Sequence, residues 1–229
     1  MATAVASRSA AVRRWGAGTA AIARLLVAAD APLTGVAIAE AVGVSQPRAS
    51  QVLKQLAVHD AVRATESGYV GRQARLLDLY RRRARPLLVQ PESYWYGTRP
   101  AAEQARRIVA LANDERRLIA FSADLAPDLL VPWRHPTLTV VYTAESLVLD
   151  PAGLVPADGR ADATVVVRWT SDATLLSPAP RWPREVEGIP VTDPVQQWWD
   201  LLDLGGEDRA EAAERLRQAI LGREIPTRR

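Results

Sequence analysis

The stretch "VGVSQPRASQVLKQL", residues 42–56, joins a glycine turn to a helix with one apolar and one polar side. Gly43 stands where the end of a preceding helix favours a left-handed residue, and Ser45 stands where the next helix favours an N-cap. Pro47 is tolerated in a first helical turn. The apolar positions then follow the i, i+3, i+4, i+7 rule of one helix face, at Ala49, Val52, Leu53 and Leu56. The stretch therefore predicts a turn followed by an amphipathic helix.

The flanking segments place this turn and helix in a larger unit. Before it, residues 18–29 have the apolar spacing of a helix, and Thr34 can cap a second short helix. After it, residues 61–71 alternate with period two and predict a β-hairpin turning at Glu66, Ser67 and Gly68. Helix, helix, glycine turn, helix and hairpin follow one another in the order of a winged helix-turn-helix. We expect this DNA-binding domain, with a trailing helix over 72–86, to occupy residues 1–90, because the proline-containing segment 86–93 marks a boundary.

Residues 91–229 predict a second domain in which helices and strands are interleaved. The helical patterns cover 99–113, 193–205 and 207–222, and the strand patterns cover 117–122, 135–143 and 161–170. The expected fold class is α+β, an N-terminal winged helix-turn-helix followed by a mixed α/β C-terminal domain.

Charge divides the chain in the same place. Residues 1–90 hold 13 Lys and Arg against 5 Asp and Glu, a net charge of +8, whereas residues 91–229 hold 16 against 21, a net charge of −5. A basic half beside an acidic half indicates that the first half meets a polyanion. The sequence has no run of 18 apolar residues and no signal-peptide pattern, which predicts a cytoplasmic protein without a membrane partner.

The polar face of the third helix carries residue types that read DNA. Arginine can bridge a guanine edge, glutamine can pair with adenine, and serine serves bases or phosphates. No acidic side chain interrupts this face. We expect Gln46, Arg48, Ser50 and Gln51 to contact bases in double-stranded DNA, and Ser45, Lys54, Arg63 and Arg72 to contact phosphates.

Two further groups of arginines have open interpretations. Arg8, Arg13 and Arg14 can form an N-terminal arm along the DNA backbone. The cluster of Arg81, Arg82, Arg83 and Arg85 can bind phosphates or can face the acidic second half, and the sequence favours neither.

Motifs for catalysis are absent from the sequence, which contains no P-loop, GxGxxG, HExxH or GxSxG pattern and no cysteine. His135 is expected in a loop or at a strand edge. Asp200 and Asp203 are expected on the solvated face of a helix, since two carboxylates hold a metal only with further ligands. We therefore expect no catalytic residue, no metal and no cofactor.

Tryptophan is concentrated in the second half of the chain. Trp198 and Trp199 are adjacent, so they point about 100° apart around a helix. Both can be buried only if that helix is covered on two sides or meets a partner protein. The second alternative gives Trp198 and Trp199 a partner-binding role.

The segment "IPVTDPVQQWWDLLDLGGEDRAEAAERLRQAIL", residues 189–221, resembles the closing segment of the AbiEi family of antitoxins. The matching residues are Pro194, Gln196, Asp200, Leu201, Leu202, Gly205, Gly206, Glu211 and Ala212. The resemblance implies a winged helix-turn-helix that represses its own operon and a C-terminal α/β domain needed to neutralise a nucleotidyltransferase-like toxin.

The expected function is thus a sequence-specific, autoregulating transcriptional repressor of the AbiEi-like antitoxin type. One alternative is a protein-interaction antitoxin whose acidic second domain binds a cognate toxin, with the winged helix as a scaffold. Another is a ligand-responsive regulator with a tryptophan-lined pocket in the second domain. The helix-turn-helix also allows an oligomer on DNA, because such proteins often bind paired half-sites.

Overall fold

The structure is a computed structural model that describes residues 14–84, 91–133, 135–178 and 181–226. Its helices are α1 (Ala17–Ala28), α2 (Gly35–Val42), α3 (Gln46–Val58), α4 (Gln73–Arg83), α5 (Ala101–Asp114), α6 (Leu125–Leu130), α7 (Ala173–Leu176), α8 (Pro194–Leu204) and α9 (Glu207–Gly222). Its strands are β1 (Val62–Thr65), β2 (Gly68–Gly71), β3 (Ser93–Tyr96), β4 (Ile119–Ala123), β5 (Thr139–Thr143), β6 (Val155–Pro156), β7 (Val165–Trp169), β8 (Glu185–Val186) and β9 (Ile189–Pro190). Arg8 and Arg13 of the expected arm, Arg85 of the arginine cluster and residues 86–90 of the expected boundary lie outside the described residues.

Helices α1 to α4 and the hairpin β1–β2 follow the sequence predictions closely. Thr34 caps α2, because its Oγ1 accepts a hydrogen bond of 3.2 Å from the backbone N–H of Ala37. Gly43 ends α2 in the left-handed region, at φ +72°, as predicted. The N–H of Val44 then bonds to the carbonyl of Ala39, which closes the turn before α3. Ser45 occupies the N-cap position of α3, but its side chain makes no capping hydrogen bond.

The hairpin is tied to the connection between α1 and α2. Leu33 and Tyr69 exchange two backbone hydrogen bonds, of 3.0 and 2.8 Å. Gly68 is required at this point, because its φ is +135° and an added Cβ would lie 2.5 Å from the carbonyl oxygen of Leu33. The hairpin is therefore held in place against the helices that precede it.

A five-stranded mixed sheet forms the centre of the second half, in the order β4-β5-β7-β3-β6. Strands β5 and β7 are parallel, and the other neighbours in this sheet are antiparallel. The three predicted strands are present as β4, β5 and β7, so the mixed α/β character is confirmed. The sequence interpretation missed β3, which begins at the last residue of the proline-containing segment 86–93. Its residues Ser93, Tyr94 and Trp95 pair with β7.

The hydrophobic core is shared between the two halves of the sequence. One cluster contains Ile22, Leu53 and Leu77 from the first half together with Trp198 and Ile220 from the second. A separate cluster lies between α5 and one face of the sheet. The division into domains at residue 90 stays a prediction, but the packing joins α1 and α4 directly to α8.

Candidate nucleic-acid interface

Helix α3 presents its polar face to solvent and its apolar face to the core. Ala49, Val52, Leu53 and Leu56 are buried, as the spacing predicts. Of the eight residues expected to contact DNA, Ser50 is half-buried and seven are exposed: Ser45, Gln46, Arg48, Gln51, Lys54, Arg63 and Arg72. The structure therefore leaves the expected base-reading side chains of α3 accessible to a ligand.

Two hydrogen bonds within the chain position the side chain of Arg48. Its guanidinium donates a hydrogen bond of 2.9 Å to Oε1 of Gln51 and one of 3.4 Å to Oγ1 of Thr19. Thr19 belongs to α1, so these contacts orient Arg48 relative to two helices. Such positioning lowers the entropy cost of aiming a long side chain at a partner.

A cleft of about 360 Å³ opens beside this face of α3. Its walls include Arg48 and Gln51 from α3, Arg14 before α1, and Arg83 at the end of α4. The backbone N–H of Trp15 bonds to the carbonyl of Arg83 at 2.9 Å, which fixes the start of α1 against the end of α4. The residues that line the cleft include three arginines and no acidic residue.

The electrostatics of the cleft favour an anion. The pKa of His59, which also lines the cleft, is lowered by partial burial and by the guanidinium groups of Arg83 and Arg75. Among the described residues, Arg83 and its neighbours Arg81 and Arg82 form no ion pair with a carboxylate. The cleft therefore brings together groups that the sequence interpretation treated separately, since Arg14 and Arg83 come from distant segments.

The hairpin adds two cations that do not line the cleft. Arg63 is exposed on β1, and Arg72 follows β2. Nη1 of Arg72 forms an exposed ion pair of 2.7 Å with Asp60. An exposed pair of this kind is worth little free energy, so it leaves Arg72 able to exchange its partner for a phosphate.

Behind the interface, Arg24 of α1 lies in a buried cluster of ion pairs. Its guanidinium contacts Asp172 at 2.9 Å and Asp193 at 2.8 Å, and it donates a hydrogen bond of 2.8 Å to the hydroxyl of Tyr80. Asp193 also caps α8 by accepting from the backbone N–H groups of Val195 and Gln196. The two carboxylates are thus compensated by one guanidinium and by a helix N-terminus.

A second buried cluster surrounds Asp200, which corrects one sequence expectation. Asp200 does not lie on a solvated helix face, because it is fully buried and pairs with Arg168 at 2.6 Å. It also accepts hydrogen bonds from Tyr142 and Gln196, and from Ser122. Burial raises the pKa of Asp200 to about 6, although Arg168 and these donors favour the carboxylate. Sequence reasoning missed this cluster because Arg168 comes from a strand that reads as apolar.

One side chain links the two buried clusters. The Tyr80 hydroxyl donates to Oε1 of Gln196 at 2.7 Å, and Nε2 of Gln196 donates to the Tyr142 hydroxyl at 3.0 Å. A continuous chain of polar contacts therefore runs from α1, behind the candidate interface, to the central sheet. Such a fully bonded network favours one relative placement of the helices and the sheet.

Trp198 and Trp199 are both buried inside the chain, with exposed fractions of 3% and 4%. Helix α8 is covered on two sides by the protein's own residues, which was one of the two alternatives from sequence. The structure gives no support to a partner contact through either indole. His135, in contrast, is exposed and outside the helices and strands, as expected.

Comparison with protein-family models, with curated proteins and with solved structures gives no match. In the part of the chain that the structure describes, no helix is long and apolar enough to cross a membrane. No group of three or more His, Asp or Glu side chains within the same residues is arranged to hold a metal ion.

Proposed function

We propose that this protein is a sequence-specific DNA-binding transcriptional repressor with an N-terminal winged helix-turn-helix, acting by binding and not by catalysis. In this proposal α3 enters the major groove of double-stranded DNA and the hairpin β1–β2 is the wing. Gln46, Arg48, Ser50 and Gln51 read bases, and Ser45, Lys54, Arg63 and Arg72 contact phosphates.

One observation carries the proposal: the exposed polar face of α3 lies next to the basic cleft, and Arg48 and Gln51 belong to both. Base contacts supply specificity, whereas phosphate contacts supply most of the affinity and fix the register. The face of α3 holds residue types suited to the first task, including Arg48, which also borders the cleft. The cleft adds Arg14 and Arg83, which suit the second task. Arg14 and Arg83 therefore join the proposed phosphate contacts.

The resemblance of residues 189–221 to AbiEi antitoxins extends the proposal to autoregulation and to a cognate toxin as a second partner. The upstream DNA of the protein's own gene is then the first operator to test. Because paired half-sites are common for helix-turn-helix proteins, the proposal includes binding of more than one copy to that DNA.

The test is a gel-shift titration of the full chain against its own upstream DNA and against a shuffled control, at two salt concentrations. We expect tighter binding to the upstream DNA and a steep loss of affinity as salt increases, since each neutralised phosphate contributes a slope of about 0.9 in a plot of log affinity against log salt. Equal and weak binding to both DNAs would contradict the proposal.

A further inference from the structure

A cavity of about 200 Å³ is lined by helices α1 and α2 and by residues from 174–178 and 182–184, which lie between β7 and β8 in the sequence. Its apolar lining includes Ala21 and Leu25 of α1, Val42 of α2, and Trp182. An apolar cavity of about 150 Å³ is large enough for benzene, so this one accommodates a ring or a branched chain together with a small polar group.

The polar groups of the cavity indicate the charge of its ligand. Arg24 and Asp193 line it but are engaged with each other at 2.8 Å. Arg184, which also lines it, is exposed and forms no ion pair with any described residue. An arginine at the rim of an apolar cavity matches a carboxylate, because its guanidinium can bind both oxygens.

We infer that this cavity binds a small carboxylic acid with an apolar aromatic or branched body. The carboxylate pairs with Arg184, and the body lies against Trp182, Leu25 and Val42. The indole of Trp182 adds a reason for an aromatic body, because it is almost fully buried and borders the cavity, where a second ring can pack against it.

The position of the cavity makes its ligand an effector of DNA binding, a step that rests on the proposed function. The cavity is lined by α2, and α2 leads through the Gly43 turn directly into α3. The remaining lining residues, apart from those of α1, belong to the second half of the chain. A ligand that binds more tightly to one placement of α2 favours that placement and so changes the affinity of the protein for the operator. Binding of the operator then changes the affinity for the ligand by the same factor.

The experiment follows tryptophan fluorescence and the melting temperature of the full chain while benzoate, phenylacetate or isovalerate is added. Ligands of this size bind weakly, so concentrations reach about 10 mM. We expect a saturable response to at least one acid and a response about tenfold weaker to benzyl alcohol, which has the ring without the charge. Absence of a saturable response to all three acids would overturn the inference.

Two variants test the carboxylate contact. Arg184→Gln removes the cation at the rim, and because the residue is exposed we expect normal folding and binding of the acid about tenfold weaker. Arg106→Gln is the matched control, since Arg106 is an exposed arginine of α5 that does not line the cavity. Equal affinities in both variants would rule out Arg184 as the anchor and overturn the inference.

A gel shift with and without the bound acid separates this inference from the proposed function. A change in operator affinity that Arg184→Gln abolishes supports the effector role, and an unchanged operator affinity overturns it. If the chain binds the acid but shows no preference for any operator, the proposed function fails while the cavity assignment stands.

Discussion

Arg48 and Lys54 lie on the same exposed face of α3, but their surroundings differ. Arg48 is held by Thr19 and Gln51, whereas Lys54 makes no hydrogen bond or ion pair with a described residue. A positioned guanidinium suits a specific base contact, while an unrestrained ammonium suits a phosphate. The two residues therefore make a matched pair for separating specificity from general affinity.

We expect Arg48→Ala to cost about 1 to 3 kcal/mol of binding free energy on the operator and to relax the base preference at one position. Lys54→Ala should weaken binding to all sequences alike and lower the salt slope by about 1. Gel-shift titrations of both variants on operator and shuffled DNA provide the measurement. Equal losses on the two DNAs for Arg48→Ala would contradict its assignment to bases.

Asp200 makes the stability of the protein depend on pH in a definite direction. Unfolded aspartate titrates at about 3.9, whereas burial raises the pKa of folded Asp200 to about 6. The folded state therefore binds the proton more readily, and the contribution of Asp200 to the free energy of unfolding falls as pH rises through this window.

The variant Asp200→Asn tests this linkage, because it removes the titrating group and keeps the shape of the side chain. We expect the free energy of unfolding of the wild type, relative to that of the variant, to fall by about 1 to 3 kcal/mol between pH 4 and pH 6.5. Denaturant titrations at several pH values measure this difference. Parallel pH curves for the two proteins would show that the pKa of Asp200 is not raised.

At the scale of elements, the hairpin β1–β2 depends on one close backbone approach. We expect Gly68→Ala to destabilise the protein by about 1 to 3 kcal/mol, because the new Cβ meets the carbonyl of Leu33 and the left-handed φ disfavours alanine. Denaturant unfolding measures the change.

Gly35→Ala is the control for this prediction. Gly35 begins α2, and an added Cβ there meets only a ring carbon of Tyr69, at an ordinary 3.9 Å. The variant should be as stable as the wild type or more stable by about 0.5 to 1 kcal/mol, since alanine favours a helix. If Gly35→Ala lowered the free energy of unfolding as much as Gly68→Ala, the close approach of residue 68 to the Leu33 carbonyl would not be the cause of the destabilisation.

At the scale of the whole molecule, the shared core predicts that the two halves of the sequence unfold together. Trp198 packs in the cluster that contains residues of α1, α3 and α4. We expect Trp198→Ala to destabilise the chain by about 3 to 5 kcal/mol, because it leaves a large cavity. Hydrogen exchange should accelerate in α1 and α3 as much as in α8.

The matched control is Trp133→Ala. Trp133 is 39% exposed and stacks against the guanidinium of Arg215, so its loss should cost about 1 kcal/mol or less. If Trp198→Ala accelerated exchange only in α8 and α9, the two halves would be independently stable despite their common core.

Sequence patterns alone were sufficient to predict the features that depend on residues close together in the chain. The spacing of Ala49, Val52 and Leu53 predicts the buried face of α3, and the left-handed preference of glycine places the turn at Gly43. Both signals are short-range, since helix periodicity and backbone sterics depend on residues only a few positions apart.

The tertiary structure alone decided which distant residues meet. The sequence predicts an exposed Asp200, yet Arg168 lies opposite it in the fold and compensates its burial. It treats Arg14, Arg48 and Arg83 as three separate features, and the fold places them around one cleft. Long-range pairing, the burial of charges and the covering of Trp198 and Trp199 depend on how helices pack against a sheet. Periodicity along the chain contains no information about that packing, because it reports the direction of a side chain and not what lies opposite it.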